Sequence, residues 1–374
     1  MDSGPYIGGS RVAIRTRGVR QEPLFSVLGP GQITGSSYEV PVTDTAARAT
    51  LIAVTADAVA LHELQVVPPP AARAPLIAVA TYYSGLVLHS PRDFHIVGIV
   101  PVEGAAGDVA SGLDGDLYVP TTDASALFDI SRDPWRVNRI DNVPFGNEVA
   151  VDTTDGTVFV SNRDVGGKGA LTRIRGNAVE RLITGITAEG LALDAARHLI
   201  YVGNVNDNTV VEVDTRTLRI LRRLPSVPRT MGLALDAAGR RLFVVSNQNA
   251  GMAGGGFVAT IDLASARSKI VTRSARFAFP LGIAFDARRN ALFVSDEDAG
   301  VVYALNARTL RSLRAPLKAC AVPWRPHIDT ASRRLYVPCA RANRVAVFDL
   351  DSLRPISGSP FATGRYPLSV ATSG

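Results

Sequence analysis

The sequence predicts an all-β fold. It is a seven-bladed β-propeller of four-stranded antiparallel blades whose C-terminal strand closes the N-terminal blade, with six or eight blades as alternatives. Three observations carry this prediction. First, an apolar triplet recurs after a turn, as Leu117-Tyr118-Val119, Val158-Phe159-Val160, Ile200-Tyr201-Val202, Leu242-Phe243-Val244, Leu292-Phe293-Val294 and Leu335-Tyr336-Val337. The spacings are 41, 42, 42, 50 and 43 residues, and Ile77-Ala78-Val79 lies 40 residues before the first copy. A period near 42 matches one propeller blade. Second, aspartates recur in phase with the triplet. Third, what one end of the array lacks, the other end supplies.

Each copy reads as four strands. In the copy from Glu189 the first is Gly190 to Asp194, followed by the turn Ala195 to His198. Leu199 to Val202 is the second, Val210 to Val213 the third and Leu218 to Leu224 the fourth. Short β-branched and aromatic runs between Gly/Asn/Asp turns are what antiparallel hairpins require. The aspartate closing strand one returns as Asp152, Asp236, Asp286 and Asp329, and the one after strand three as Asp129, Asp262 and Asp349, with Asn306 in one copy. A carboxylate repeated in every unit reads as scaffold, bonding the backbone of the turn it opens. The insertion Gly251 to Gly256 accounts for the single 50-residue spacing.

The ends indicate how the ring closes. Pro367 to Ala371 repeats the strand-one pattern with no second strand after it, whereas the Ile77 copy lacks a first strand because Pro68-Pro69-Pro70 interrupts it. The C-terminal strand is therefore expected in the N-terminal blade, covering edges that would otherwise be open. Upstream, residues 1–37 read as a flexible extension, 38–70 as an extra hairpin or degenerate blade, and 71–374 as the propeller.

Composition narrows the class. The 374 residues are 46% hydrophobic and 20% charged, as in an ordinary globular chain. No apolar run is long enough to span a membrane, and Gln21 to Thr45 is no signal-peptide core. The net charge of +6 comes from scattered arginines, without the basic tract and interleaved aromatics of a nucleic-acid groove. Cys320 and Cys339 match no zinc or redox spacing. One precedes strand one and the other ends strand two of the same copy, so both reach one loop face and a disulfide is expected in an oxidising compartment.

Leu199 to Asp214 and Gly232 to Asn247 resemble the YVTN repeat of bacterial propeller proteins and are similar to NHL repeats. The resemblance covers roughly residues 75–374 and implies the fold. It also implies export, and roles ranging from surface-layer modules and binding platforms to lactonases. Gluconolactonase-type propellers place acidic or amide metal ligands at the start of strand one. Here that column reads Ala106, Asn147, Glu189, Met231, Leu281, Trp324 and Leu368. Asn147 and Glu189 are its only polar members, so they are the candidate metal ligands, with Asp296 of Asp296-Glu297-Asp298 as a third; calcium would want six to eight oxygens. His327 stands where other copies carry Ala192, Ala234 and Ala284, and is the candidate catalytic base. The leading expectation is a non-catalytic propeller that binds a protein or small ligand on one loop face. The alternatives are a metal-dependent lactonase-type hydrolase and a nucleic-acid-binding propeller. No cofactor is expected beyond such a divalent cation.

Overall fold

The computed structural model describes residues 4–16, 22–225, 227–247, 255–265, 269–274 and 277–373, with backbone only for 269–273. The chain is all-β; its only helical turns are Ala195–Arg197 and Ala340–Ala342 among the described residues. Six four-stranded sheets follow one another in sequence, each a simple meander. A seventh four-stranded unit is assembled from both chain ends. Pro367–Ser373 pairs antiparallel with Leu76–Thr81, which continues into Gly85–His89 and Ile96–Val100. The innermost strands lie side by side in a closed ring: Ala110–Ser111, Gly146–Asp152, Ala188–Asp194, Thr230–Asp236, Pro280–Asp286, His327–Asp329 and Pro367–Ser373. This is a propeller, with the C-terminal strand as its closing element.

The repeating residues explain why the ring holds. The aromatic of the triplet is fully buried between neighbouring sheets at Phe159, Tyr201, Phe243, Phe293 and Tyr336, where each large ring removes apolar area from water. The first set of aspartates caps the turn after the innermost strand. Asp152 Oδ1 accepts from the Thr154 amide at 2.9 Å, Asp236 Oδ1 from Gly239 at 2.8 Å and Asp329 Oδ1 from Ala331 at 2.9 Å. Asp194 and Asp286 do the same for Arg197 and Arg288. Asp262, Asn306 and Asp349 cap the later turn by the same bond. Asp129 departs from this pattern because its hairpin is longer. It lies inside Ala126–Arg132, opposite Asn138, and caps nothing.

The closing strand has a second fastening. Arg132 Nη1 donates to Ser373 Oγ at 2.8 Å, and its Nη2 donates to the carbonyls of Ala71 and Ala74 at 3.0 and 2.7 Å. Cys320 and Cys339 are disulfide-bonded with a Cα–Cα distance of 5.8 Å, joining a loop to the end of strand Arg334–Cys339. Of the insertion, residues 251–254 lie outside the described residues.

The N-terminal region differs from the expected flexible extension. Tyr6–Ile7 runs parallel between Ile96–Val100 and Val59–Val67, with both residues buried. It thereby welds a three-stranded antiparallel extension, Leu24–Leu28, Ala47–Val54 and Val59–Val67, onto the first unit, making an eight-stranded sheet. A small sheet of Arg11–Ala13, Gln32–Thr34 and Ser37–Glu39 covers one face of that extension, packing Tyr38 and Val40 on Leu51, Leu64 and Val66. The Gly/Pro/Arg composition concealed these short strands, and Tyr6–Ile7 and Arg11–Ala13 pair only with partners farther along the chain. Ala47–Val54 and Val59–Val67 form a hairpin, and among the described residues its strand pairing to the propeller runs through Tyr6–Ile7, while Leu64 and Val66 pack on Val87 and Ile99. No helix among the described residues is long and apolar enough to cross a membrane.

Candidate functional site

The innermost strands begin with an irregularity. Pairing register shifts between Gly146 and Val149, Ala188 and Leu191, Thr230 and Leu233, Pro280 and Ile283, and Pro367 and Ser369. A bulge breaks strict alternation and re-aims the side chains within it. Immediately before it, the backbone takes a left-handed turn at Phe145, Thr187, Arg229 and Tyr366. The bulge position itself is crowded, because neighbouring innermost strands approach there. A Cβ on Gly190 would sit 2.3 Å from the Met231 carbonyl oxygen, one on Gly232 2.8 Å from that of Leu281, and one on Gly282 2.7 Å from the Arg325 Cα. Gly190→Ala is therefore expected to cost about 1–3 kcal/mol by overpacking against backbone; urea denaturation of the variant would measure it.

In register with those glycines stand Gly107, Glu148, Arg325 and Ser369. Two charged residues thus occupy a column that is otherwise glycine or serine, and they meet. Arg325 Nε lies 2.9 Å from Glu148 Oε1, its Nη1 donates to the Gly107 carbonyl at 3.1 Å, and its Nη2 donates to Asn147 Oδ1 at 3.1 Å. The same Nη2 is 3.9 Å from Glu189 Oε2, which also accepts from Asn147 Nδ2. Glu189 Oε1 is held 2.8 Å from Arg163, a half-exposed residue just past strand Thr157–Asn162. The Leu191 amide donates to Glu148 Oε2 at 2.7 Å, and the Val149 amide to Asp108 Oδ2 at 2.9 Å. Asp108 is further bonded by the Ser369 side chain on the closing strand.

Asp108, Asn147, Glu148, Glu189 and Arg325 therefore form one connected group at the end of the ring where the innermost strands start. Burial dominates its electrostatics. It pushes the Glu148 carboxyl up to about 7 against the pull of Arg325, with Asp108 and Glu189 adding like charge. Asp108 is raised by burial as well, again opposed by Arg325. Burial works against the Arg325 charge, but Glu148, Asp108 and Glu189 outweigh it and hold the guanidinium above its ordinary value. A carboxyl near neutrality beside a fixed cation can exchange a proton under physiological conditions.

The predicted site residues divide. Glu189 and Asn147 are brought together. Asp296 is elsewhere: its carboxylate accepts from the amides of Ala278, Phe279 and Ala299 at 2.8, 2.9 and 3.1 Å, so it caps a loop. His327 opens its innermost strand and bonds Thr372 Oγ1 on the closing strand through Nε2 at 3.1 Å. Burial pushes its imidazole down to about 4, leaving it neutral at pH 7. The three expected metal ligands thus form no common set, and both Glu189 oxygens face guanidinium or amide donors. No group of three or more His, Cys, Asp or Glu among the described residues could hold a metal ion. Sequence reasoning missed Asp108, Glu148 and Arg325. The signal that could have found Glu148 and Arg325 is a charged residue in a glycine column.

No sequence-family model and no curated protein matches the chain. Solved structures do match. A functionally unknown protein from Desulfotomaculum acetoxidans aligns with a TM-score of 0.64 at 13% identity, over 80% of this chain and 98% of that one. A Bacteroides fragilis protein provisionally assigned as a 6-phosphogluconolactonase aligns at 0.63 and 11% identity, over 82% and 100%. Virginiamycin B lyase from Staphylococcus aureus aligns at 0.52 and 14% identity, over 65% and 80%. At such identities the likeness establishes a shared propeller fold.

Proposed function

We propose that the chain is a propeller that binds a small ligand at the end of the ring where the innermost strands begin. One observation carries this reading: charged and amide side chains from three consecutive units and a fourth farther along the chain, Asp108, Asn147, Glu148, Glu189 and Arg325, converge where the repeat otherwise supplies small or apolar residues. Ligand sites are concave places where a few polar groups converge on a rigid scaffold. The expected result is a compound, within a panel of sugars, acids, amines and lactones, that stabilises the protein against heat by about 2.7 kcal/mol at one hundred times its Kd. That shift should vanish in Arg163→Ala, which removes a half-exposed rim group. Thermal-shift curves with no response across the panel would count against the reading.

A hydrolase of the lactonase type is the second reading, favoured by the Glu148 carboxyl near 7 and by the fold shared with proteins assigned to that activity. In it Glu148 is the base that takes a proton from water, and His327 is a second, neutral group on an innermost strand. The expected lactone-hydrolysis rate rises through about pH 7 as Glu148 ionises, and Glu148→Gln removes that limb. A pH–rate profile of both proteins checks it.

A further inference from the structure

The eight-stranded sheet ends on Leu24–Leu28, whose only strand neighbour among the described residues is Ala47–Val54. Its other edge has no strand partner among the described residues over its five-residue length. Natural sheets blunt such edges with charge, proline or a bulge. This strand, Leu-Phe-Ser-Val-Leu, carries none of the three inside it; Pro23 and Pro30 lie just beyond its ends. Alternate residues point outward, Leu24 being 79% and Leu28 64% exposed, with Ser26 exposed between them.

We propose that this edge pairs with the same edge of a second copy, giving a two-fold dimer through a continuous antiparallel sheet. The sequence of the strand is self-complementary about Ser26. A two-fold axis there sets Leu24 of one copy opposite Leu28 of the other, Phe25 opposite Val27 and Ser26 opposite Ser26, and a two-fold contact of this kind closes on itself. The neighbouring strands extend the match, because Leu24 already faces Val54, which faces Val59. Pairing lines up Leu28 of one copy with Leu24, Val54 and Val59 of the other on the exposed face. The last two are 38% and 65% exposed in the single chain. The arrangement forms two such apolar rows and puts no charged residues face to face, so nothing in the register opposes it. A second copy is the occupant this symmetry favours, because it supplies the matching Leu-x-Ser-x-Leu in register.

The experiment is sedimentation of the full chain over a concentration series, with Ser26 variants. Wild type is expected to reach twice the chain mass in the micromolar range. Ser26→Lys and Ser26→Glu each place like charges face to face on the axis and should be monomeric, with melting temperatures unchanged because the position is exposed. Mixing the two variants should restore the dimer through a Lys–Glu pair. A monomeric wild type, leaving the edge for another partner or another stretch of chain, overturns the proposal. So does a Ser26→Lys variant that still dimerises, or a mixture that stays monomeric.

Discussion

Deleting residues 366–374 is expected to leave a chain that no longer folds cooperatively. The deletion removes strand Pro367–Ser373 and with it the antiparallel ladder to Leu76–Thr81. Leu368, Val370 and Ala371, each under 5% exposed, go with it. Loss of those side chains and of the ladder's hydrogen bonds amounts to roughly 5–10 kcal/mol, the size of a typical domain's whole stability. Two further losses follow. Arg132 loses Ser373, and Asp108 loses Ser369, so a buried carboxyl gives up a donor. The deletion also opens the edge of Leu76–Thr81, which invites association. Circular dichroism melting and gel filtration of a chain ending at Arg365 check this, and adding the missing segment as a peptide should recover part of the transition. If the truncated chain melts like the full one, the closure is not what holds the ring.

The closure was legible because it is a matter of counting. A strand-one pattern without a second strand and a second strand without a first leave one arrangement that covers both edges. The turn-capping aspartates were legible for a similar reason, since a residue repeated at fixed phase reports on the repeat. The charged group was only half legible. Asn147 and Glu189 lie in the column found by aligning strand starts, but Glu148 is one residue on, where regular alternation turns a side chain away from its neighbour's direction. The register shift between Gly146 and Val149 breaks that alternation, so Asn147 and Glu148 both reach Arg325. Arg325 comes from a unit whose described innermost strand is only three residues long, and its pairing with Glu148 is a contact between units far apart in sequence. Nothing local encodes such a contact. Tyr6–Ile7 escaped for the same reason, being a strand because Ile96–Val100 and Val59–Val67 flank it.

Replacing Arg325 with methionine is expected to be the most damaging single change in the charged group, and its cost should depend on pH. The side chain is 16% exposed and supplies the guanidinium shared by Glu148, Asn147 and Glu189. Methionine keeps much of the volume and removes every donor. Stranding a buried partner in this way typically costs about 3–5 kcal/mol. The sign of the pH dependence follows from the carboxyls. Glu148 and Asp108 already sit above their ordinary values, and without the arginine they rise further, so the folded variant holds protons that the unfolded chain has released. Stability then falls as pH rises through the interval between the ordinary glutamate value and the raised one, and the penalty is largest at pH 8 and smallest near pH 5. The buried His327 runs the other way, since its imidazole is pushed down to about 4 and protonation destabilises the fold below its ordinary value, but both proteins share it and the difference between them cancels it. Urea denaturation of wild type and Arg325→Met at pH 5 and pH 8 gives the comparison. Adding Glu148→Gln to the variant should recover a large part of the loss at pH 8 and little at pH 5, because the amide needs no counter-charge. A loss that is equal at both pH values and untouched by the second substitution would mean that Arg325 serves by packing alone, and that the carboxyls around it are neutral without its help.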